Sequence, residues 1–255
     1  FYNEIGVPTP QYQILAKDDF ESKLKMEFPV VLKQGKGQGG KDIKVAESLD
    51  DVKEYFEEFD HALCEKFIEG SEISIEVLGY NGEYVPLSPI YKGETTLEGI
   101  HPLNKIKTAP CLVEGLDNNL VQRTAYKVAK NLGSDGIFEM DFMFSKDEQQ
   151  LYAIEVNTRP NGTRYLTTAT CGVNSLCELV NMAAGKFSIK DIQDKLEYYY
   201  ATEIPIGHYK GPDLNEPLKS FKNNDWVVHG PEGYQRITIR ADSKEQLDRH
   251  VEDLI

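Results

Sequence analysis

Ile137-Phe138-Glu139-Met140-Asp141-Phe142-Met143-Phe144, followed after a polar turn by Ala153-Ile154-Glu155-Val156-Asn157, decides how this chain is read. In an extended strand successive side chains point to opposite faces. Phe138, Met140, Phe142 and Phe144 therefore share a face that must be buried, and Glu139, Asp141 and Met143 share the other. Glu155 and Asn157 lie on one face of the second stretch. The spacing predicts a hairpin, Gly136 to Ser145 and Leu151 to Asn157, that stands Asp141 beside Glu155. Carboxylates this close repel unless a cation sits between them. Asp141, Glu155 and Asn157 together offer oxygen ligands of the kind Mg²⁺ (or Mn²⁺) takes alongside phosphate oxygens and water.

Working back from the hairpin, Lys33 ends an apolar, β-branched run that predicts a strand over Phe28 to Lys33. Gly35-Lys36-Gly37-Gln38-Gly39-Gly40-Lys41 follows as a loop, with a returning strand at Ile43-Lys44-Val45. Four glycines let backbone N–H groups approach phosphate oxygens, and Lys33 supplies a fixed charge. The loop leads to a strand, so it is neither a Walker A loop nor a Rossmann fingerprint. A short helix is expected over Asp18 to Glu27, and a capped helix from Ser48 to about Phe59, with Asp51 completing a capping box. Cys64-Glu65-Lys66-Phe67-Ile68 ends a strand over Ala62 to Phe67, whose backbone could meet a purine edge. Glu72 begins a strand to Tyr80, and its carboxylate could accept from ribose hydroxyls. Asn81-Gly82 marks a hairpin turn.

Helices are expected over Leu116 to Leu132, ended by Gly133, over Asn174 to Ala184, and after Ser243. Trp226-Val227-Val228 and Arg236 to Ile239 read as paired strands. Strands and helices mix without a βαβ rhythm, so the fold class is α+β. The expected division is a small lobe at 1–63 and a larger one at 64–255, built on an antiparallel sheet and completed by a subdomain from about 198.

The bulk numbers exclude some roles. A net charge of −14 over 255 residues argues against nucleic acid as a partner. No apolar run approaches the ~18 residues that span a bilayer. Cys64, Cys111, Cys171 and Cys177 form no CxxC pair, which fits a reduced, cytoplasmic protein. Arg159 and Arg164 follow the hairpin, where guanidinium groups can hold a carboxylate or a transferring phosphoryl group. His101 lies between them and the glycine loop, and a lone His of this kind is more often structural than substrate-binding.

These motifs, in this order, resemble the ATP-grasp superfamily from about Ile5 to Lys186. The resemblance implies two α+β lobes that grip ATP between antiparallel sheets. It implies that Lys33 contacts the phosphates and that Gly37, Gln38, Gly39 and Gly40 cover them. Glu65, Lys66, Phe67 and Ile68 would meet the adenine edge, Val31 and Met143 its faces, and Glu72 the ribose. Asp141, Glu155 and Asn157 would carry the magnesium, and Arg159 would steady an acyl phosphate, with Arg164 and His101 toward the substrate. Gly99-Ile100-His101, Ile106 to Pro110 and Thr168 to Val173 are similar to the large subunit of carbamoyl phosphate synthase. That family has polar residues where this chain has Leu103-Asn104-Lys105, and two such halves where this chain has one. Arg159-Pro160-Asn161-Gly162 is similar to a stretch of carboxyaminoimidazole ribonucleotide synthetase, without its His. The superfamily usually places a further lobe and a lysine ahead of this segment, so the resemblance implies that the chain, opening at Phe1, is part of a longer protein.

The function so implied is an ATP-dependent ligase that activates a carboxylate as an acyl phosphate for attack by an amine. The alternatives are a bicarbonate-phosphorylating enzyme and a non-catalytic ATP-binding module. The partners expected are a small-molecule carboxylate and an amine, with a homodimer as an open option.

Overall fold

The computed structural model describes residues 1–36, 42–97, 104–160, 162–208, 221 and 224–254. Two antiparallel sheets organise it, one of four strands and one of nine. The smaller runs β1–β4–β2–β3, from β1 (Tyr12–Ala16), β4 (His61–Lys66), β2 (Val30–Lys33) and β3 (Lys44–Ala46). Its core forms where Leu15, Val30, Leu32 and Cys64 meet Val52, Tyr55 and Phe56 of α2 (Leu49–Glu58). Ser48 caps α2 and Asp51 returns the bond, the reciprocal box expected from the sequence. By contrast, α1 (Phe20–Lys23) is much shorter than the stretch Asp18 to Glu27. The Gln13 amide accounts for this: it donates to Lys23 O at 3.2 Å and accepts from Lys25 N at 3.0 Å, taking groups that a continuing helix would pair. β2 also starts two residues late, because Pro29 has no N–H to enter a ladder.

The larger sheet runs β10–β9–β5–β7–β8–β11–β13–β12, with β6 paired to β5. Its strands are β5 (Ser71–Tyr80), β6 (Glu83–Pro86), β7 (Ile90–Glu94), β8 (Lys107–Ala109), β9 (Gly136–Ser145), β10 (Gln150–Asn157), β11 (Tyr200–Gly207), β12 (Trp226–His229) and β13 (Gln235–Ala241). α3 (Asn118–Leu132) covers one face, packing Val121, Ala125 and Val128 on Ile73, Ile75, Phe138, Met140, Phe142 and Phe144. The aromatic face of β9 is therefore core, as its alternation requires. The opposite face is covered in part by α4 (Arg164–Cys171), α5 (Ser175–Ala183) and α6 (Ile189–Lys195). α7 (Lys244–Leu254) closes the chain on β11 and β13. The C-terminal strands continue the same sheet through the β8–β11 pairing instead of forming a separate layer.

One residue fixes how the two sheets join. A Cβ on Gly70 would lie 2.1 Å from the carbonyl oxygen of Phe144. Glycine alone allows the chain to pass this close as it leaves the small sheet for β5. Thr95 holds the crossing, accepting from Gly70 N at 2.9 Å and donating its own N–H to Gly70 O at 2.7 Å.

Candidate functional site

The site lies where the open part of the larger sheet faces the small one. Asp141 on β9 is the direct cross-strand partner of Glu155 on β10, and Asn157 is the partner of Glu139. A β-bulge between Ala153 and Glu155 makes this possible. Ala153 is buried in the core, so strict alternation would send Glu155 the same way; the extra residue Ile154 turns Glu155 and Asn157 to the open face. The sequence pattern puts Glu155 and Asn157 together but carries no sign of the bulge, which depends on the register with β9.

Asn157 Nδ2 donates to Glu155 Oε1 at 2.8 Å, leaving its amide oxygen as a further ligand atom. Among the described residues no group of three or more His, Cys, Asp or Glu side chains is placed to hold a metal. The candidate set is two carboxylates and one amide, a number that suits a divalent ion sharing phosphate oxygens and water. The charge around it agrees. Burial pushes the Tyr2 hydroxyl well up, and the charges of Glu155, Asp141 and Glu65 push it further. Carboxylates of both sheets thus converge on one point.

Two buried carboxylates lie behind the pair. Glu139 accepts from Ser74 Oγ at 2.7 Å and Thr163 Oγ1 at 3.0 Å. Burial, then the charge of Asp141, raises its carboxyl. Glu76, opposite Glu139 on β5, is raised by burial to about 7. Serine and threonine hydroxyls from α5 and α4 face Glu76, and Ser175 Oγ donates to it at 3.4 Å.

Lysines hold the outer carboxylates. Lys92 Nζ on β7 donates to Asp141 Oδ1 at 2.9 Å. Lys105 pairs with Glu72, the residue expected at the ribose, and Lys33 pairs with Glu65. Val31 sits opposite Glu65 on the outward face of the small sheet, and Met143 sits opposite Glu72 on the larger one. Lys66 N is taken by Gln11 O and Lys66 Nζ by Glu148, while Phe67 N bonds Pro29 O and Ile68 O accepts from Thr95 Oγ1. Arg159 is exposed beside the hairpin's end, its Nη1 donating to Pro160 O at 3.5 Å. Arg164 opens α4 with its guanidinium 4.9 Å over the Tyr165 ring, on the Glu76 side of the site. Gly37, Gln38, Gly39, Gly40 and His101 lie outside the described residues.

Sequence reading missed a second charged group on this face. Glu203, fully buried on β11, lies 3.2 Å from Lys107 Nζ, 2.7 Å from Arg236 Nε and 3.4 Å from His229 Nε2. The Tyr165 ring stacks on His229 at 3.8 Å. No local motif announces the cluster, because its members come from β8, β11, β12 and β13.

The ATP-grasp domain model matches residues 1–163, and the chain belongs to that family. A protein of Methanobrevibacter smithii named carbamoyl-phosphate synthase is 99% identical over 255 residues, all of this chain and 70% of that protein. Among solved structures, an L-amino acid ligase from Bacillus licheniformis aligns with a TM-score of 0.73 at 18% identity, over 99% of this chain and 68% of that one. A carboxyaminoimidazole ribonucleotide synthase from Aspergillus clavatus, complexed with ATP, aligns at 0.77 and 16% identity, over 99% and 69%. At such identities these structures establish the fold. Among the described residues no helix is long and apolar enough to cross a membrane.

Proposed function

We propose that this chain is the nucleotide-binding core of an ATP-dependent ligase that activates a carboxylate as an acyl phosphate and passes it to an amine. The observation that carries the reading is the Asp141–Glu155 cross-strand pair with Asn157 beside it, facing a cleft ringed by lysines. In the reaction a carboxylate oxygen attacks the terminal phosphorus of ATP and ADP departs. The amine nitrogen then attacks the acyl carbon, inorganic phosphate leaves with the bonding pair, and the nitrogen loses a proton.

Little covalent chemistry falls to the protein, so positioning and charge neutralisation carry catalysis. Asp141, Glu155 and Asn157 would hold Mg²⁺, which when bound would neutralise the phosphates. Lys33 pairs with the phosphates, Val31 and Met143 enclose the adenine, and Glu72 accepts from the ribose. Arg159, exposed at the cleft's edge, takes the acyl phosphate. A second reading, bicarbonate as the acid, is favoured by the likeness to the Methanobrevibacter smithii protein named carbamoyl-phosphate synthase.

The full-length protein should release ADP only when its carboxylate and its amine are both supplied. Asp141→Asn or Glu155→Gln should lower that release by about 100-fold or more. Unchanged turnover in either variant would sink the metal assignment. ADP release driven by bicarbonate with no organic acid would decide for the second reading.

A further inference from the structure

Lys92 is placed oddly for a structural ion pair. It lies on β7, while its partner Asp141 lies on β9, with β5 between them. Neighbouring strands sit about 4.8 Å apart, so the four-carbon stem must cross a whole strand to bring Nζ within 2.9 Å of Asp141 Oδ1. The residue opposite Asp141 on that intervening strand is Ser74, a small side chain. Asp141, Glu139 and Glu72 all act on this ammonium, Asp141 through a direct hydrogen bond. Lys107 is the cation on its other side. One lysine therefore faces three carboxylates of the site, and it binds the one that the proposed function assigns to the metal.

A divalent ion at Asp141 and Glu155 meets this ammonium at a separation of a few ångströms, where like charges in a partly buried site repel strongly. The ammonium cannot be left unpaired in the interior either. Phosphate oxygens are the anions that come with the metal. A lysine, with a flexible stem and three rotatable donors, can change partner where the rigid fork of arginine cannot. Lys105 on Glu72 repeats the pattern at the carboxylate assigned to the ribose.

We propose that Lys92 is an exchangeable counter-ion: it gives up Asp141 when a divalent cation enters the Asp141–Glu155 pair, and its ammonium then pairs with phosphoryl oxygens of the nucleotide. The proposal rests on the metal reading given above and adds a residue to it. Lys92 suppresses metal binding before the nucleotide arrives and favours it afterwards, so metal and ATP enter together.

The test is Mn²⁺ binding by the full-length protein, followed by electron paramagnetic resonance with and without ATP. Without ATP, Lys92→Met should bind Mn²⁺ about tenfold more tightly than the parent, and Lys92→Arg should stay near it. With ATP present the order should reverse, Lys92→Met binding about tenfold more weakly. A plain structural role moves neither value and gives no reversal. Equal or weaker Mn²⁺ binding by folded Lys92→Met without ATP overturns the proposal. Should that variant not fold, Lys92→Gln, which keeps a polar end for Asp141, gives the same two readings. Asp141→Asn separates the two levels of the argument. If it binds Mn²⁺ like the parent, the metal reading fails and Lys92 with it. If it loses Mn²⁺ while Lys92→Met shows no tightening, only the role of Lys92 fails.

Discussion

Glu76 and Glu203 are both fully buried, and both stand on the same face of the larger sheet. Burial drives each carboxyl upward, yet they end far apart: Glu76 at about 7 and Glu203 at about 2. Glu76 has hydroxyls and a second carboxylate, Glu139, for company, and the distant pull of Arg164 does not offset its desolvation. Glu203 has His229, Lys107 and Arg236 against it, and these reverse the effect of burial. The two ends of one sheet are thus built on different electrostatics. At the end next to Asp141 and Glu155 the buried carboxyls are raised, and at the C-terminal end the buried carboxyl is lowered within an ion cluster. Depth in the protein does not decide the charge of a buried acid; its partners do.

The comparison is broken most severely at Glu203. Glu203→Gln leaves Lys107 and Arg236 buried without the carboxylate they share, and loss of one member of such a set costs about 3–5 kcal/mol. Glu203 is lowered, so its contribution is present above the ordinary carboxylate range and is lost only as pH falls toward 2. The penalty in Glu203→Gln should therefore be nearly flat between pH 5 and pH 9, read from urea midpoints. Lys107 is already lowered by burial, and losing Glu203 lowers it further. A smaller penalty at the high end of that range would mark its loss of charge.

Sequence reading reached one end of this sheet and not the other, for a physical reason. The strand pair that carries Asp141 and Glu155 is a hairpin, so a period of two and a turn suffice to find it. The box at Ser48 and Asp51, the left-handed Gly133 after α3 and the Asn81-Gly82 turn are equally local, and each appears where the pattern puts it. The start of α3 shifts only from Leu116 to Asn118, because Asp117 provides the cap. Glu203 meets a lysine 96 residues away, and Arg236 reaches the carbonyl of Lys105 across 131. β8, which supplies Lys107, is three residues long and has no periodicity to detect. Lys92 is hidden in the same way, since its partner is two strands off in a sheet whose order the sequence does not state.

Glu76→Gln sharpens the contrast from the other side. A raised carboxyl binds its proton more firmly in the native state, so its stabilising effect is complete below the unfolded value and fades as pH rises through about 7. Glutamine keeps the shape and removes the titration. Relative to the parent, the variant should therefore gain stability between pH 5 and pH 8, by about 2–3 kcal/mol, where Glu203→Gln shows no such slope. A parallel pair of urea midpoints across that range would show that Glu76 stays ionised throughout and that the two ends are alike.

The smallest effect is expected at Ser74, whose hydroxyl donates to Glu139 at 2.7 Å in the interior. Ser74→Ala removes one neutral donor from a carboxyl that burial and Asp141 already raise. Thr163 remains at 3.0 Å, so the group is not orphaned, and the loss should be about 1 kcal/mol. Its pH dependence carries the information. The Ser74 hydroxyl favours ionised Glu139, so without it the carboxyl rises further and the loss grows as pH rises from 5 to 8. A loss that is the same at both values would mean that Glu139 does not change protonation between them: a large one marks a carboxylate already ionised at pH 5, a small one a carboxyl that keeps its proton at pH 8. In the first case the charge beside Asp141 and Glu155 that a bound cation must balance is one unit larger than in the second.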